Sequence, residues 1–355
     1  MGICDGPCAP HEGKRLMKND SITRRRALVS LPALAAAGEV WAQSGPPPIR
    51  VRALNHMTLT VSDRKRSVEF YQGLFGMPVL DRQGVSIGLR IGNGPQYISL
   101  AQAGPNVKPS IAHFCMTLDG FSVARITEAL AAHGVTKGDP GPMKTWVRMR
   151  GPDAGGAPEG TPELYLGDPD GLRVQLQDVS YCGGAGASGS ACKPPEPAPA
   201  KGLLALGGLS HCTLNVTDRQ RSTAFYQRVF GMPVQAHQGA TVLLAIGRDR
   251  QFITMGSVTG ALAPSPKIAH GCFTMEGFEP DKVMKALADY GVKPRGRSAE
   301  PPGPLVSYVN LRGEDRGGAK GGTPELYFTD PDGIIMQIQD TSYCGGSGYM
   351  GDVCA

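Results

Sequence analysis

LNHMTLTVSDRKRSVEFYQGLFGMPV at residues 54–79 returns, with few changes, as LSHCTLNVTDRQRSTAFYQRVFGMPV at residues 209–234. A second stretch, GTPELYLGDPDGLRVQLQDVSYCGG at residues 160–184, returns as GTPELYFTDPDGIIMQIQDTSYCGG at residues 322–346. Repeats of this length indicate two copies of one structural unit. The chain of 355 residues is long enough for two domains of ordinary size, each with its own core.

The charge of the chain gives no indication of a nucleic-acid partner. The formal net charge is +5, and residues 1–42 hold six Lys/Arg against four Asp/Glu, which leaves +3 for the remainder. Nucleic-acid-binding domains carry a concentrated basic face, whereas the charges here are few and scattered. The charge therefore argues against a nucleic-acid partner, and the sequence does not indicate an oligomeric state.

The N-terminal residues 1–42 have the composition of an export signal. TRRRALV at residues 23–29 precedes the apolar run LVSLPALAAAG, and small residues follow before a possible cleavage point. This run is too short to span a membrane as a stable anchor, and the arginines resemble a twin-arginine signal. We predict a periplasmic or secreted protein that meets a membrane only during export. The alternative is a flexible basic tail, and translation could start at Met1 or at Met17.

Cysteines and prolines mark the ends of the two copies. In each copy a glycine-rich loop is enclosed by two cysteines ten positions apart, Cys182 with Cys192 and Cys344 with Cys354. In an oxidising compartment these pairs are candidate disulfides, and a thiolate metal site is the alternative. The predicted division of the chain is an export signal at 1–42, domain 1 at 50–182, a Pro/Ala/Gly-rich linker at 185–204, domain 2 at 205–345 and a glycine-rich C-terminal loop at 346–355.

Each domain contains a fainter internal repeat of a strand, a helix and further strands. The helix after His56 is expected to start near Asp63, a favoured N-cap, and to stop at Gly76. A second helix follows His113 and ends near Gly134. The strands after these helices give the order β-α-β-β-β, twice in each domain and four times in the chain.

Alternation along the strands separates apolar from polar side chains. Met57, Leu59 and Val61 fall on one face of the first strand and should pack under the helix, so His56 points to the opposite face. His113, and in domain 2 His211 and His270, follow the same rule. A curved sheet with a polar concave side forms a cup. We therefore predict an α+β fold in which tandem paired β-α-β-β-β modules form two curved-sheet cups, each lined by two histidines.

These residues resemble the vicinal oxygen chelate superfamily, which includes glyoxalase I, the extradiol ring-cleaving dioxygenases and the bleomycin-resistance proteins. The resemblance covers about 50–180 and 205–345, and rests on the histidine strand followed by DRxRSxxFYQxxFGMPV and on the hairpin YxxDPDG. It implies a divalent metal in each cup. The implied histidine ligands are His56 and His113 in domain 1, and His211 and His270 in domain 2.

The chain departs from the dioxygenase pattern at the third ligand. The position where such dioxygenases place a glutamate holds Gln175, and Gln337 in the second copy, although glyoxalase I type sites do use glutamine. Tyr165 and Tyr327 match a tyrosine that ring-cleaving members keep near the substrate, and a structural role is the alternative. The additional catalytic histidine of those enzymes is missing from residues 155–164.

Two further pairs of residues are candidate contributors to the cups. Glu163 shares strand parity with Tyr165, so we propose that Glu163, and Glu325 in domain 2, supplies the charge that glutamine lacks; an exposed strand residue is the alternative. Cys115 and Cys272 lie two residues beyond the second histidines. They are either soft ligands or small buried side chains.

The resemblance implies a metal-dependent enzyme that holds two neighbouring oxygens of a small substrate. We expect an extradiol-dioxygenase-like oxidoreductase that acts on an aromatic diol with Fe(II) or Mn(II), with Zn or Ni as possible metals. A glyoxalase-type lyase or isomerase is the enzymatic alternative. A binding protein of the bleomycin-resistance type, without a catalytic metal, is the alternative from another class.

Overall fold

The structure is a computed structural model and describes residues 49–257, 265–296 and 300–354. The predicted export signal at 1–42 lies outside these residues. The described helices are α1 (Arg64–Phe75), α2 (Val123–Ala132), α3 (Arg219–Phe230) and α4 (Pro280–Asp289). None of them is long and apolar enough to cross a membrane.

The strands fall into two sets of nine within the described ranges. Domain 1 contains β1 (Val51–Val61), β2 (Val79–Gln83), β3 (Ser86–Arg90), β4 (Tyr97–Gln102), β5 (Ser110–Leu118), β6 (Thr136–Lys137), β7 (Lys144–Arg150), β8 (Thr161–Gly167) and β9 (Arg173–Asp178). Domain 2 contains β10 (Gly208–Val216), β11 (Val234–Gln238), β12 (Thr241–Ala245), β13 (Phe252–Ser257), β14 (Lys267–Met275), β15 (Lys293–Pro294), β16 (Val306–Arg312), β17 (Thr323–Thr329) and β18 (Ile335–Asp340).

In each domain the strands form one curved sheet. The order in domain 1 is β2-β3-β4-β1-β5-β9-β8-β7-β6, and domain 2 repeats it as β11-β12-β13-β10-β14-β18-β17-β16-β15. The predicted α+β fold of repeated β-α-β-β-β modules is confirmed. The structure adds the two-residue strands β6 and β15, and shows β2 and β11, which no hydrophobic run in the sequence had indicated.

Local sequence explains where the first helix of each domain begins and ends. The Asp63 side chain accepts a hydrogen bond from the backbone N–H of Arg66, and Gly76 ends α1 in the left-handed conformation with φ 66°. Asp218 and Gly231 do the same for α3. Aspartate satisfies a free N–H of the first turn, and glycine adopts positive φ without a steric penalty. Both predicted helix ends therefore follow from side-chain chemistry.

The helices lie between the two sheets, and one hydrophobic core spans both domains. Phe70 and Phe75 of α1 contact rings of domain 2, with centroids 6.4 Å from Phe328 and 5.9 Å from Phe273. The buried core cluster includes side chains from all four helices and from both sheets. The two copies are therefore distinct units in sequence but share the apolar surface that folding buries.

The two most recognisable motifs of the chain contact each other across the domain boundary. Asp332, in the DPDG turn of domain 2, accepts hydrogen bonds from Ser62 N at 2.9 Å and from Arg66, just before and within α1. Asp170 of domain 1 likewise accepts from Thr217 N at 2.9 Å and from Arg221. Each DPDG turn thus binds the helix start of the other domain.

Two glutamines join the first strands of the two domains. Gln96 donates to the carbonyl of Leu54 at 2.8 Å and accepts from the N–H of Leu209 at 2.7 Å. Gln251 accepts from Leu54 N at 2.9 Å and donates to Leu209 O at 2.8 Å. Both bridged positions lie two residues before the first histidine of their domain. The glutamines therefore link β1 to β10 close to both candidate sites.

The segment predicted as a linker runs along domain 1. Glu196 forms a backbone bridge with Val79 of β2, and its carboxylate pairs with Arg82 at 2.6 Å. Leu204 and Leu206 are buried in the shared core. The cysteines that flank the two glycine-rich loops are bonded in the structure as Cys182–Cys192 and Cys344–Cys354.

Candidate metal centres

The first candidate site is built on a row of side chains that crosses the concave face of the domain 1 sheet. Residues directly opposite each other on neighbouring strands point to the same side of a sheet. The row crosses the strands in their order in the sheet, β4, β1, β5, β9, β8 and β7. Its residues are, in that order, Tyr97, His56, Cys115, Gln175, Tyr165 and Trp146. The corresponding row in domain 2 consists of Phe252, His211, Cys272, Gln337, Tyr327 and Tyr308.

Three donor atoms converge in domain 1. The Nε2 atoms of His56 and His113 are 3.3 Å apart, and Gln175 Oε1 lies 3.0 Å from His113 Nε2. All three side chains are buried, and they face away from the helix layer. The strand order brings His56 from β1, His113 from β5 and Gln175 from β9 together, because these three strands are adjacent at the centre of the sheet.

Domain 2 repeats the arrangement with small differences. His211 Nε2 lies 3.1 Å from Gln337 Oε1, and the rings of His211 and His270 have centroids 5.5 Å apart. His270 Nε2 is 3.0 Å from the hydroxyl of Thr213, as His113 Nε2 is 3.2 Å from that of Thr58. The predicted ligand residues therefore meet in both cups.

Burial keeps all four imidazoles uncharged at neutral pH. It is the main cause that lowers the pKa of His113 to about 3 and that of His270 to about 4. The pKa values of His56 and His211 are also well below the usual range, first through burial and then through the charge of the neighbouring histidine. A neutral imidazole has the free lone pair that a metal ion needs.

A hydrogen bond from the second ring nitrogen fixes the tautomer of His56. Asn55 donates through Nδ2 to the carbonyl of Tyr181, and its Oδ1 lies 2.8 Å from His56 Nδ1. Because Oδ1 can only accept, the His56 proton lies on Nδ1 and the Nε2 lone pair points to the site. The hydroxyl of Ser210 contacts His211 Nδ1 at 3.1 Å in domain 2. Such contacts orient imidazole ligands in metal sites.

The donor set fits a divalent transition metal. Two imidazole nitrogens and an amide oxygen suit Mn, Fe, Zn or Ni, and the buried Nδ1 of His113 has no hydrogen-bond partner among the described residues. That free position allows His113 to carry its proton on Nδ1 and to present Nε2 to a cation. The described parts of the chain contain no cluster of three His, Cys, Asp or Glu side chains, and the oxygen atoms closest to the paired histidines include those of Gln175 and Gln337.

Comparison with known proteins gives the family. The model of the Glyoxalase/Bleomycin resistance protein/Dioxygenase superfamily matches residues 53–176 and 208–338. The chain belongs to this superfamily.

Several solved structures share the fold at low sequence identity. A catechol 2,3-dioxygenase is 16% identical, with a TM-score of 0.54 over 84% of this chain and 89% of its own. A 2,2',3-trihydroxybiphenyl 1,2-dioxygenase from Sphingomonas wittichii is 16% identical, with a TM-score of 0.55 over 85% and 93%. An Mn(II)-bound glyoxalase from Novosphingobium aromaticivorans is 15% identical, with a TM-score of 0.51 over 82% of each chain.

Within this superfamily fold, the predicted catalytic tyrosines lie beside the second histidines. The ring centroid of Tyr165 is 5.4 Å from that of His113, and Tyr327 is 5.2 Å from His270. The Tyr165 hydroxyl donates to Glu163 Oε2 at 3.1 Å. Burial, followed by the charge of Glu163, raises the pKa of Tyr165 well above its ordinary value. Tyr165 is therefore a neutral phenol whose proton is directed to Glu163.

The structure does not place Glu163 and Glu325 directly beside the glutamines, and their role as compensating carboxylates stays a prediction. The strand register places Tyr165, not Glu163, opposite Gln175. Glu163 is buried against Arg150, with Arg150 Nε 3.0 Å from Oε1, and Glu325 pairs with Arg312 at the same distance. An ion pair is neutral as a unit. Each glutamate therefore balances a buried arginine and leaves little charge for a cation.

The arginine of each ion pair also holds two loops. Arg150 donates to the carbonyls of Gly155 and Gly184, both at 3.0 Å, so it connects the turn after β7 with the disulfide loop after β9. Arg312 donates to Gly317 and Gly346 in domain 2. Nothing in the strand pattern predicted that these arginines are buried, although their position in matching copies, at the end of β7 and β16, is a repeated signal.

Cys115 and Cys272 lie in the rows that contain the donors, and both are fully buried. Each thiol donates to the backbone carbonyl of the next residue, at 3.8 Å and 3.4 Å, and Cys272 also interacts with Ser210. Burial raises the pKa of both thiols well above the usual range. A thiol in this environment does not ionise readily, so the structure favours the buried side chain over the soft ligand.

Aromatic rings enclose the first histidine of each cup, a feature that the sequence pattern did not predict. The His56 ring lies between Tyr97, with centroids 4.5 Å apart, and Tyr181, with centroids 5.8 Å apart. Phe252 and Tyr343 enclose His211 at 4.4 Å and 5.7 Å. Tyr181 and Tyr343 belong to the repeated SYCGG segment, which was a usable signal. Tyr97 and Phe252 become neighbours of the histidines only through strand pairing.

Proposed function

We propose that this protein is a divalent-metal-dependent enzyme whose activity resembles that of extradiol dioxygenases, with a small aromatic diol as substrate. The observation that carries the proposal is the convergence of two neutral imidazoles and one amide oxygen, with His56 Nε2 3.3 Å from His113 Nε2, in a cup that domain 2 repeats. The metals favoured are Fe(II) and Mn(II), with Zn and Ni as alternatives. His56, His113 and Gln175 would hold the metal in domain 1, and His211, His270 and Gln337 in domain 2.

When bound, such a metal supplies Lewis acidity toward two neighbouring oxygens of the substrate. The chain supplies the surroundings. Arg173 stacks its guanidinium over the rings of Trp146 and Tyr165, at 5.6 Å and 5.9 Å, beside the cup. This arrangement of flat groups next to His113 supports an aromatic substrate over an aliphatic one. Asn55 keeps the His56 lone pair directed to the centre of the cup.

A glyoxalase-type lyase or isomerase is the second candidate. It is favoured by the neutral glutamine in both donor sets, and by the absence of a histidine from residues 155–164. The two enzyme classes differ in their need for oxygen. Conversion of catechol to a coloured ring-cleavage product under air, and no conversion without oxygen, would support the dioxygenase. Isomerisation of a hemithioacetal without oxygen would support the lyase or isomerase.

We further propose that the mature protein acts in the periplasm or outside the cell, exported by the twin-arginine-like segment at 1–42. The two disulfides of the glycine-rich loops support an oxidising compartment, because such bonds persist there. Detection of the full chain in the periplasmic fraction, and its loss from that fraction when the arginine pair is replaced by lysines, would test this. Retention of the native chain in the cytoplasm would contradict it.

Metal stoichiometry tests the proposed function directly. The full chain is stripped of metal, loaded without oxygen with Fe, Mn, Zn or Ni, and its metal content is measured. We expect about two equivalents, and the loss of about one in His56→Ala or in His211→Ala. His237→Ala is the matched control, because His237 is an exposed histidine of β11 outside both cups. No retained metal after any loading would overturn the enzyme and favour a binding protein of the bleomycin-resistance type.

A further inference from the structure

The two cups have the same types of donor side chain, but they differ at the end of the sheet formed by β2 to β4 in domain 1 and by β11 to β13 in domain 2. Domain 1 has Asp81 on β2 and Gly88 on β3, where domain 2 has Ala236 and Leu243 on β11 and β12. Beside these positions, Tyr97 in domain 1 replaces Phe252 in domain 2; these are the aromatic rings that stack on the first histidines. Three polar or glycine positions of one cup are therefore apolar in the other.

Strand register places Asp81 on the same concave face as His113. Directly paired residues run from β2 to β5 in the order Asp81, Gly88, Ser99, Thr58 and His113. The equivalent row of domain 2 is Ala236, Leu243, Thr254, Thr213 and His270. In domain 1 only small or hydroxyl-bearing residues separate the carboxyl from the second histidine. In domain 2 the row ends in two apolar side chains.

The Asp81 carboxyl occupies the place that a leucine side chain fills in domain 2. A Cβ atom added to Gly183 would lie 2.0 Å from Asp81 Oδ2, and one added to the equivalent Gly345 would lie 2.1 Å from Leu243 Cδ2. Ala236, Leu243, Phe252 and Tyr343 form a separate apolar cluster there. The Asp81 carboxyl and the Leu243 side chain therefore occupy corresponding places in the two domains, one polar and one apolar.

Asp81 and Tyr97 are buried polar residues with few partners in the described part of the chain. Both carboxyl oxygens of Asp81 and the hydroxyl of Tyr97 are shielded from solvent and form no hydrogen bond of good geometry, although Gln83 and the N–H of Gly88 interact with Asp81, and Tyr181 with Tyr97. An apolar solution to the same packing problem exists in domain 2, so folding does not require this cost. A buried titratable group that folding does not require is a candidate for binding or proton transfer.

The surroundings of Asp81 make it a group that changes charge near neutral pH. Burial, as the largest effect, raises its pKa to about 7, and Arg150, Gln83 and the N–H of Gly88 lower it in part while Glu163 raises it. The other titratable groups that interact with Asp81 are the phenols Tyr97 and Tyr181, both of which burial keeps protonated. A carboxyl with this pKa is mostly ionised at pH 8, so it can accept a proton, and it retains that proton when the charge of the bound substrate anion raises its pKa further.

We propose that Asp81 accepts the proton that a hydroxylic substrate loses when it binds in the first cup, and that domain 2 has no equivalent acceptor. The substrate O–H bond breaks, its electron pair stays on the oxygen, and the proton ends on the Asp81 carboxylate as a carboxylic acid. Tyr97 stacks on His56 with ring centroids 4.5 Å apart and also interacts electrostatically with Asp81, so its phenol links the first histidine to the carboxyl. This inference rests on the proposed function, because it requires a hydroxylic substrate in the cup.

Proton counting during ligand binding tests the proposal. Catechol is titrated calorimetrically into the full chain, loaded with Mn(II) without oxygen, in buffers with different ionisation enthalpies. At pH 8 the native chain should release up to one proton fewer per chain than Asp81→Ala/Gly88→Leu, which copies the pair found in domain 2. At pH 5.5 Asp81 is already protonated, so the two proteins should release the same number. Ala236→Asp/Leu243→Gly is the reciprocal variant. At pH 8 it should release fewer protons on catechol binding than the native chain does.

The outcomes separate this inference from the proposed function. Equal proton release by native and variant chains at pH 8, with catechol binding intact, would overturn the role of Asp81 and leave the proposed function standing. Failure of catechol to bind the native, metal-loaded chain would overturn both. Asp81→Asn keeps the shape of the side chain and removes the acceptor charge. It replaces the double variant if that variant does not fold, and should give the same extra proton at pH 8.

Discussion

Gln175 sets the charge of the first cup. Two neutral imidazoles and an amide contribute no negative charge, and the nearest carboxylate, Glu163, is bound by Arg150. A divalent cation placed there keeps its full charge in a buried site, and electrostatic attraction to the donors is weak. With the glutamine as a ligand, a bound metal would accept more electron density from an anionic substrate, at the expense of metal affinity.

Gln175→Glu should strengthen metal binding in domain 1. The new carboxylate adds one negative charge at 3.0 Å from His113 Nε2, the place of the present amide oxygen, and charged oxygen donors bind divalent ions more tightly. We expect affinity for Mn(II) to rise by at least about tenfold, measured by competition with a chelator. Gln337→Glu is the matched variant for domain 2. Unchanged affinity in both variants would show that the glutamines do not face the metal.

Asp81 should make the stability of the protein depend on pH. Its pKa is raised from 3.8 to about 7 by burial, so the folded state binds the proton more tightly than the unfolded chain. The stabilisation is complete below about pH 4 and is lost as the pH rises to about 7, a change of at most about 4 kcal/mol.

Asp81→Asn should remove that dependence. The melting temperature of the native chain should fall between pH 5 and pH 8. The fall should be smaller in the variant, because its asparagine does not titrate. Asp168 and Asp330, whose pKa values burial raises to about 6, are present in both proteins and cancel in the comparison. Parallel melting curves of the two proteins across this range would contradict a carboxyl that titrates near neutrality.

The candidate donors were predictable from sequence, but their charged neighbours were not. Alternation along a strand determines the face of a residue, so His56, His113 and Gln175 were assigned to one cavity without a structure. The partner of Glu163 was not predictable, because Arg150 lies on a neighbouring strand and its burial follows only from register. Asp81 was missed for a similar reason, since the short edge strand β2 has no alternating apolar pattern.

At the scale of elements, the ion pair between β7 and β8 holds the cup together. Arg150 is 1% exposed and contacts Glu163 as well as the carbonyls of Gly155 and Gly184. These contacts connect two strands, a turn and the disulfide loop. Removal of one partner of a buried pair leaves an uncompensated charge, which costs more than the pair itself contributes.

Arg150→Met should therefore destabilise the protein by about 3–5 kcal/mol, because it strands the Glu163 carboxylate in the core. Arg150→Met/Glu163→Gln should recover part of this loss, since the charge is then absent. The measurement is urea unfolding, with the slope of the transition compared among variants. Arg312→Met with Glu325→Gln gives the matched test in domain 2. A double variant less stable than the sum of the single changes would contradict this explanation.

Contacts between the domains also explain why the DPDG turn and the helix start are so similar in the two copies. The DPDG turn of each domain binds the helix start of the other, through Asp332 to Arg66 and through Asp170 to Arg221. The buried Asp168 and Asp330 accept hydrogen bonds from Tyr226 and Tyr71 at 3.2 Å and 3.4 Å. A single copy could not satisfy these groups. The repeat in the sequence predicted two domains. The contacts between them could not be predicted, because they do not follow from the sequence of either copy alone.

For the whole molecule, the shared core means that the two sequence domains are not two folding units. Helix α1 packs on rings of domain 2, Tyr290 at the C-cap of α4 donates to a carbonyl of α1 at 3.2 Å, and two glutamines bridge β1 to β10. Separation of the domains would expose this apolar surface and leave Asp168 and Asp330 without their tyrosine partners. Separation would destabilise both domains, because the DPDG turn of each domain contacts the helix start of the other.

We therefore expect residues 49–354 to unfold in one cooperative transition, with the same midpoint by circular dichroism and by fluorescence of Trp146 in domain 1. A fragment of residues 49–204 should not fold alone, and addition of a fragment of residues 205–354 should restore structure to both. Gln96→Ala/Gln251→Ala removes the bridges between β1 and β10 and should lower the midpoint without splitting the transition, because the core and the DPDG contacts remain. Two separate transitions in the native protein, or a stable first fragment, would show that each cup folds by itself, and the metal sites could then be studied one domain at a time.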